Sequence, residues 1–140
     1  MPLMWRDQLS VGNDIIDSDH KHLIEIINRI ELCLEAKDRG HLTEVLDSLA
    51  KYAQVHFDRE ERIAKAAGYT QVPNLTHSHE ALLSRFKEVR SEFDETGLQW
   101  KAEAADHFLG FLRNWLIDHV IKEDLLMKPA LTKHSPSFLG

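Results

Sequence analysis

Four long stretches of this chain repeat apolar residues every three and four positions, and short turn-rich links join them. That period confines each stretch to an amphipathic helix. The first helix is expected over residues 18–36, with His20, Leu23, Ile27, Ile30 and Leu34 on one face. The second is expected over 42–66, with Leu42, Val45, Leu49, Tyr52 and Ala53 leading to His56, Glu60 and Ile63. The third, over 74–94, lines up Leu75, His79, Leu82, Phe86, Val89 and Phe93. The fourth, over 99–127, lines up Trp100, Ala104, Phe108, Phe111, Leu112, Trp115 and His119. Links this short make sequential helices antiparallel neighbours, so the predicted fold is all-α, an up-down-up-down four-helix bundle. Residues 1–17 are too apolar for a free tail and are expected to pack on the bundle (18–128) as an arm, with Gly12-Asn13 as a turn. Asp17 or Ser18 is the expected cap of the first helix, Gly68 the residue closing the second, and Pro129 the end of the fourth. Residues 129–140 form a C-terminal tail, expected to be loosely packed from 133 on.

A chain of 140 residues can build one domain with a sizeable core but not two ordinary ones. Its net charge of −6, with no basic run, argues against nucleic acid. Cys33 is the one cysteine, so neither an internal disulfide nor a thiolate metal cluster is available. The first nine residues include Arg6 and Asp7 and lack the apolar core of a secretory signal. No run of apolar residues is long enough to span a membrane, and a cytoplasmic location is expected.

The chemistry lies in polar residues on the inward faces. His56 and Glu60 stand four apart on one apolar face of the second helix. A buried imidazole and carboxylate are costly unless something satisfies them. The oddity recurs at His20, His79, His119 and Asp124. In an antiparallel bundle the starts of helices one and three and the ends of two and four share one end, so all six groups fall in one slab of the core. Four imidazoles and two carboxylates suit iron, manganese or zinc. A dinuclear centre explains all six; a mononuclear site, or hydrogen-bonded core pairs without metal, explains fewer. His119 and Asp124, five apart, lie about 140° apart on a regular helix and need a distorted helix end to meet.

These motifs resemble the bacterial hemerythrins, a branch of the hemerythrin-like (HHE) domains, over roughly residues 5–126. Val11-Gly12 with Ile16-Asp17-Ser18-Asp19-His20 is similar to that family's opening signature. His56-Phe57-Asp58-Arg59-Glu60-Glu61 with Gly68-Tyr69 is similar to its second, and Trp115-Leu116-Ile117-Asp118-His119 with Asp124 to its last. The resemblance implies a non-haem di-iron centre that binds dioxygen, its two irons bridged by an oxo or hydroxo group. It further implies that Glu60 and Asp124 bridge, that His20 and His56 ligate the iron with an open position, and that His79 and His119 ligate the other. Where the family has a further histidine, this chain has Leu75, so water, hydroxide or another anion is expected in its place. A family methionine is replaced by Ala64. His77 is the nearest spare imidazole, but it is off the inward face.

Other polar and aromatic residues are assigned more ordinary places. Tyr52, one turn before His56, is a core tyrosine within reach of a position behind that ring; Trp115 is core filler or a pocket wall. Glu61 is expected in solvent or behind the ligands, and His22, His41 and His134 at the surface. The functional expectation is dioxygen binding for storage, delivery or sensing, without nucleic acid or membrane insertion. The alternative, favoured by Leu75, is an oxidase, peroxidase-like or nitric oxide-handling di-iron protein.

Overall fold

The computed structural model describes residues 2–97 and 99–139; the expected arm's Met1 and tail's Gly140 lie outside them. Three long helices form as the periodicity requires: α1 (Asp14–Ala36), α2 (Arg39–Ala66) and α3 (Val72–Asp94). α4 (Ala102–Asn114) opens the last stretch. α1 packs on α2 and α4, and α3 on α2 and α4, which closes an all-α four-helix bundle. No strand occurs among the described residues, and no helix there is long and apolar enough to cross a membrane.

α1 and α2 start earlier than expected because Asn13 and Asp38 do the capping, α3 starts two residues early without a side-chain cap, and α4 starts later, at Ala102. Asn13 Oδ1 accepts from the backbone N–H groups of Ile15 and Ile16, so α1 begins at Asp14. Asp17, an expected cap, instead accepts from the Val11 N–H and the Ser10 hydroxyl and ties the arm to the helix. Asp38 caps α2 through the His41 N–H. Pro73 sits in the first turn of α3, where its missing N–H leaves no bond unmade. Gly68, with φ +84°, closes α2 as expected: the Gly68 N–H reaches Lys65 O and the Tyr69 N–H reaches Ala64 O.

The fourth helix departs most from expectation. After Asn114 the chain runs through a π-helical segment (Trp115–Ile121), a short α-turn (Lys122–Asp124), a 3-10 turn (Leu125–Met127) and a final α-turn (Lys128–Leu131). Pro129 does not end the helix; it sits in the first turn of that last piece. The tail beyond is tied down rather than loose. The Asp14 N–H donates to Pro136 O, Asn13 Nδ2 donates to Phe138 O, and His134, half-buried rather than at the surface, stacks on Phe138.

The core has two parts. The larger runs the length of the bundle and includes Leu23, Ile27, Leu49, Phe57, Phe86 and Trp115. The arm packs along it, held where Leu3 and the Asn28 side chain exchange two hydrogen bonds. The smaller part gathers Val11, Ile16, Ile63, Ala64, Leu75, Met127 and Leu131, with Phe138 against it, and closes one end. Gly12 lets arm and tail meet there: its φ is +81°, and a Cβ would come within 2.8 Å of Thr132 Cγ2.

Asn13, 1% exposed, therefore joins the arm, α1 and the tail. Asn13→Ala should cost about 1–3 kcal/mol of unfolding free energy. The check is a lower urea midpoint at unchanged m-value. Asn13→Asp keeps the cap but loses the donor to Phe138, so its midpoint should fall between the two.

Candidate metal centre

The slab between the two core clusters holds the polar residues. His20 follows Ile16 by one turn of α1, and Leu23 follows on the same face, so the helix that buries those apolar residues also buries the imidazole. On α2, Ala53 and Ile63 bracket His56 and Glu60 in the same way. Asp124 comes inward from the short turn after the π-helical segment. One ligand atom from each of His20, His56, Glu60 and Asp124 lies within 4.8 Å of the other three, and all four side chains are buried.

His79 joins this group through Glu60. Its Nε2 is 3.1 Å from Glu60 Oε1, while the other oxygen, Oε2, lies 2.9 Å from His56 Nε2. One carboxylate thus turns its two oxygens to imidazoles of two helices. His20 Nε2 donates to Asp124 Oδ2 at 2.7 Å. The structure does not bring His119 into the group. It is exposed on the π-helical segment and lines a surface groove with Ser78, Asn114 and Glu123. With Asp124 turned inward, a residue five positions earlier is left on the outer side. Leu75 is buried in the end cluster, and His77 is exposed.

A second layer of side chains fixes the ring orientations. His56 Nδ1–H donates to Asp19 Oδ2 at 2.9 Å, and Asp19 also accepts from the Tyr52 hydroxyl and from two Arg59 nitrogens. His79 Nδ1–H donates to Glu61 Oε2 at 2.8 Å, and Thr76 donates to the other Glu61 oxygen. Both rings are held from behind, which directs Nε2 into the slab. Asp19 was not singled out from the sequence, although it lies three after Ile16 and four before Leu23, on the inward face. Beside a helix start an acid is also explained by the helix dipole alone, so the sequence carries no sharper signal for this role.

The donor set is strained in a way a cation would relieve. His56 Nε2, Glu60 Oε2 and Asp124 Oδ1 are buried without a hydrogen-bond partner among the described residues. His56 Nε2 and Glu60 Oε2 are close without the alignment of a hydrogen bond. Lone pairs that converge without a proton between them are an arrangement a metal ion satisfies. Without one, protons must do the work. Burial opposes charge on His56, but the Glu60 charge, the nearby Asp124 carboxylate and the bond to Asp19 outweigh it and hold His56 well above the ordinary histidine range. Burial likewise opposes charge on Glu60, yet the His56 charge holds it well below the usual carboxylate range. Burial, with the Glu60 charge beside it, pushes Asp124 up to about 6. The residues therefore fit a cation by chemistry, charge and burial.

Comparison with known proteins agrees with this centre. Residues 11–131 match the family described as hemerythrin HHE cation binding domain. A bacteriohemerythrin of Pseudomonas aeruginosa is 31% identical over 137 residues, covering 98% of this chain and 86% of that protein. A bacteriohemerythrin of Methylococcus capsulatus is 26% identical over 134 residues, covering 94% and 99%. A crystal structure of a mutant protein superposes with a TM-score of 0.77 at 23% identity, over 94% of this chain and 99% of that one, and so shares the fold.

Asp19→Asn tests the second layer. Metal affinity should fall roughly tenfold to hundredfold, read by competition with a chelator, with helicity unchanged. The metal-free protein gives a second reading. Burial opposes the Asp19 charge, but bonds from His56, Tyr52 and Arg59 hold its carboxyl at about 2. That stabilisation is complete above about pH 4, the unfolded carboxyl's range, and is lost as pH falls through about 2. The variant's unfolding free energy should therefore fall less than the parent's between those limits.

Proposed function

Because this chain belongs to the hemerythrin HHE cation binding domain family, we propose that its slab of buried imidazoles and carboxylates holds two non-haem irons and binds dioxygen. The observation that carries this is the Glu60 carboxylate, with Oε2 toward His56 and Oε1 toward His79. A carboxylate so placed can serve two cations at once. His20, His56, Glu60 and Asp124 would hold one iron. His79 would hold the other, sharing Glu60 and Asp124, with His119 available if it turns inward. Held there, ferrous ions would supply the electrons that dioxygen binding requires.

The chain's own residues do the rest. Glu60 and Asp124 carry the negative charge that offsets the cations. Asp19 and Glu61 keep the Nε2 lone pairs of His56 and His79 inward. Phe57 stacks flat on His79 at 3.9 Å between ring centres, and Trp115, held by its Nε1–H to Leu82 O, lies 6.5 Å from Phe57. These rings and the end cluster exclude bulk water from the slab. Reversible binding would need such exclusion, because water and protons open the way to irreversible oxidation.

One observation favours the second reading, redox turnover as an oxidase, peroxidase-like or nitric oxide-handling protein. Leu75 is packed into the end cluster and His119 stands at the surface, so the position beside His79 is short of imidazoles. The two readings separate optically. Loaded with excess ferrous iron in the absence of oxygen, the protein should hold two irons per chain. Admitting oxygen should raise a visible band that disappears on deoxygenation. Prompt conversion to a stable ferric spectrum, with no return, supports turnover instead. Failure to hold any iron overturns both.

A further inference from the structure

The slab does not treat two cations alike. His20, His56, Glu60 and Asp124 offer four buried donor atoms that already converge. Two neutral imidazoles and two carboxylates also cancel the charge of one divalent ion, which removes the main cost of burying it. Among the described residues, a second ion beside Glu60 finds one inward imidazole, His79, and oxygens that the first ion already shares. Leu75, one turn before His79, offers no lone pair and is packed among Ile63, Ala64 and Ala67. His119 is exposed, on a segment whose π-helical winding departs from the regular helix around it. It lies five residues before Asp124, an inward donor. Recruiting it needs a change of conformation within that segment, which belongs to none of α1, α2 and α3.

We propose that the chain loads metal in two unequal steps: one divalent ion binds first in the His20–His56–Glu60–Asp124 set, and a second binds more weakly at His79, drawing His119 inward from the surface. This rests on the reading of the slab as a two-metal centre and assigns an order, an asymmetry and a moving residue within it. The weak step makes the mononuclear form a real species of this protein at limiting metal. The exposed His119 makes the Trp115–Ile121 segment the part of the fold that reports the second occupancy.

Cobalt(II) is a suitable probe, because each equivalent can be counted spectroscopically without oxygen chemistry. The full chain is titrated anaerobically against a competing chelator, and hydrogen exchange of residues 115–121 is followed at each equivalent. One equivalent should bind at least tenfold more tightly than the next, with exchange in 115–121 slowing only at the second. His119→Ala, a surface change in the metal-free fold, should leave the first step within twofold and weaken the second at least tenfold. Leu75→His should strengthen the second step and not the first. Two equivalents of equal affinity would overturn the proposal and leave the two-metal reading intact. So would a second step indifferent to His119→Ala, as regards the recruitment of His119. No cobalt bound at any concentration would overturn the two-metal reading itself.

Discussion

Two carboxylates buried in the middle of a helical bundle set the terms for everything around them. Glu60 and Asp124 are both essentially inaccessible, and each isolated charge in such a place would cost several kcal/mol. The bundle answers with imidazoles. His20 reaches Asp124, His56 and His79 reach the two oxygens of Glu60, and the protonation of the whole set shifts to keep opposite charges together. This compensation is incomplete, because donor atoms remain unpaired at the centre. The same incompleteness that burdens the metal-free fold makes the site receptive to a cation.

The surrounding layers follow from that constraint. Imidazoles can serve as ligands only if the correct nitrogen points inward, and carboxylates behind two of them see to this. Asp19 is itself shared among His56, Tyr52 and Arg59, so α1 and α2 are locked together by the bond that orients a ligand. Glu61 links His79 to Thr76 in the same way across α2 and α3. Site and scaffold are therefore not separable here: the hydrogen bonds that hold the helices in register also hold the rings.

The end of the bundle nearest the site is closed by segments outside the four helices. Val11 from the arm, Leu131 from the last turn and Phe138 from the tail cover Ile16, Ile63 and Leu75. Gly12 and Asn13 make that closure possible, one by its backbone angle and the other by its side chain. Leu75 belongs to this closure, which gives a physical meaning to an apolar residue where the resemblance leads one to expect a donor.

The sequence by itself determined the number of helices, their order and the level at which the polar residues meet. Period and link length are local properties, and antiparallel packing then puts His20, His56, Glu60, His79 and Asp124 at one height. It also determined the chemistry on offer, since residue types fix which lone pairs and charges exist. Tertiary structure decided what depends on rotation and on distant partners. His119 stands outside while Asp124 turns in, although both follow Trp115 in the last stretch of the bundle, a difference of angle that residue spacing does not encode. Asp19 became a support for His56 only because α2 brings Tyr52 and Arg59 to it. The tail became ordered because Asn13, more than a hundred residues away in the chain, donates to Phe138. Each of these rests on a contact whose energy exists only once the helices have packed.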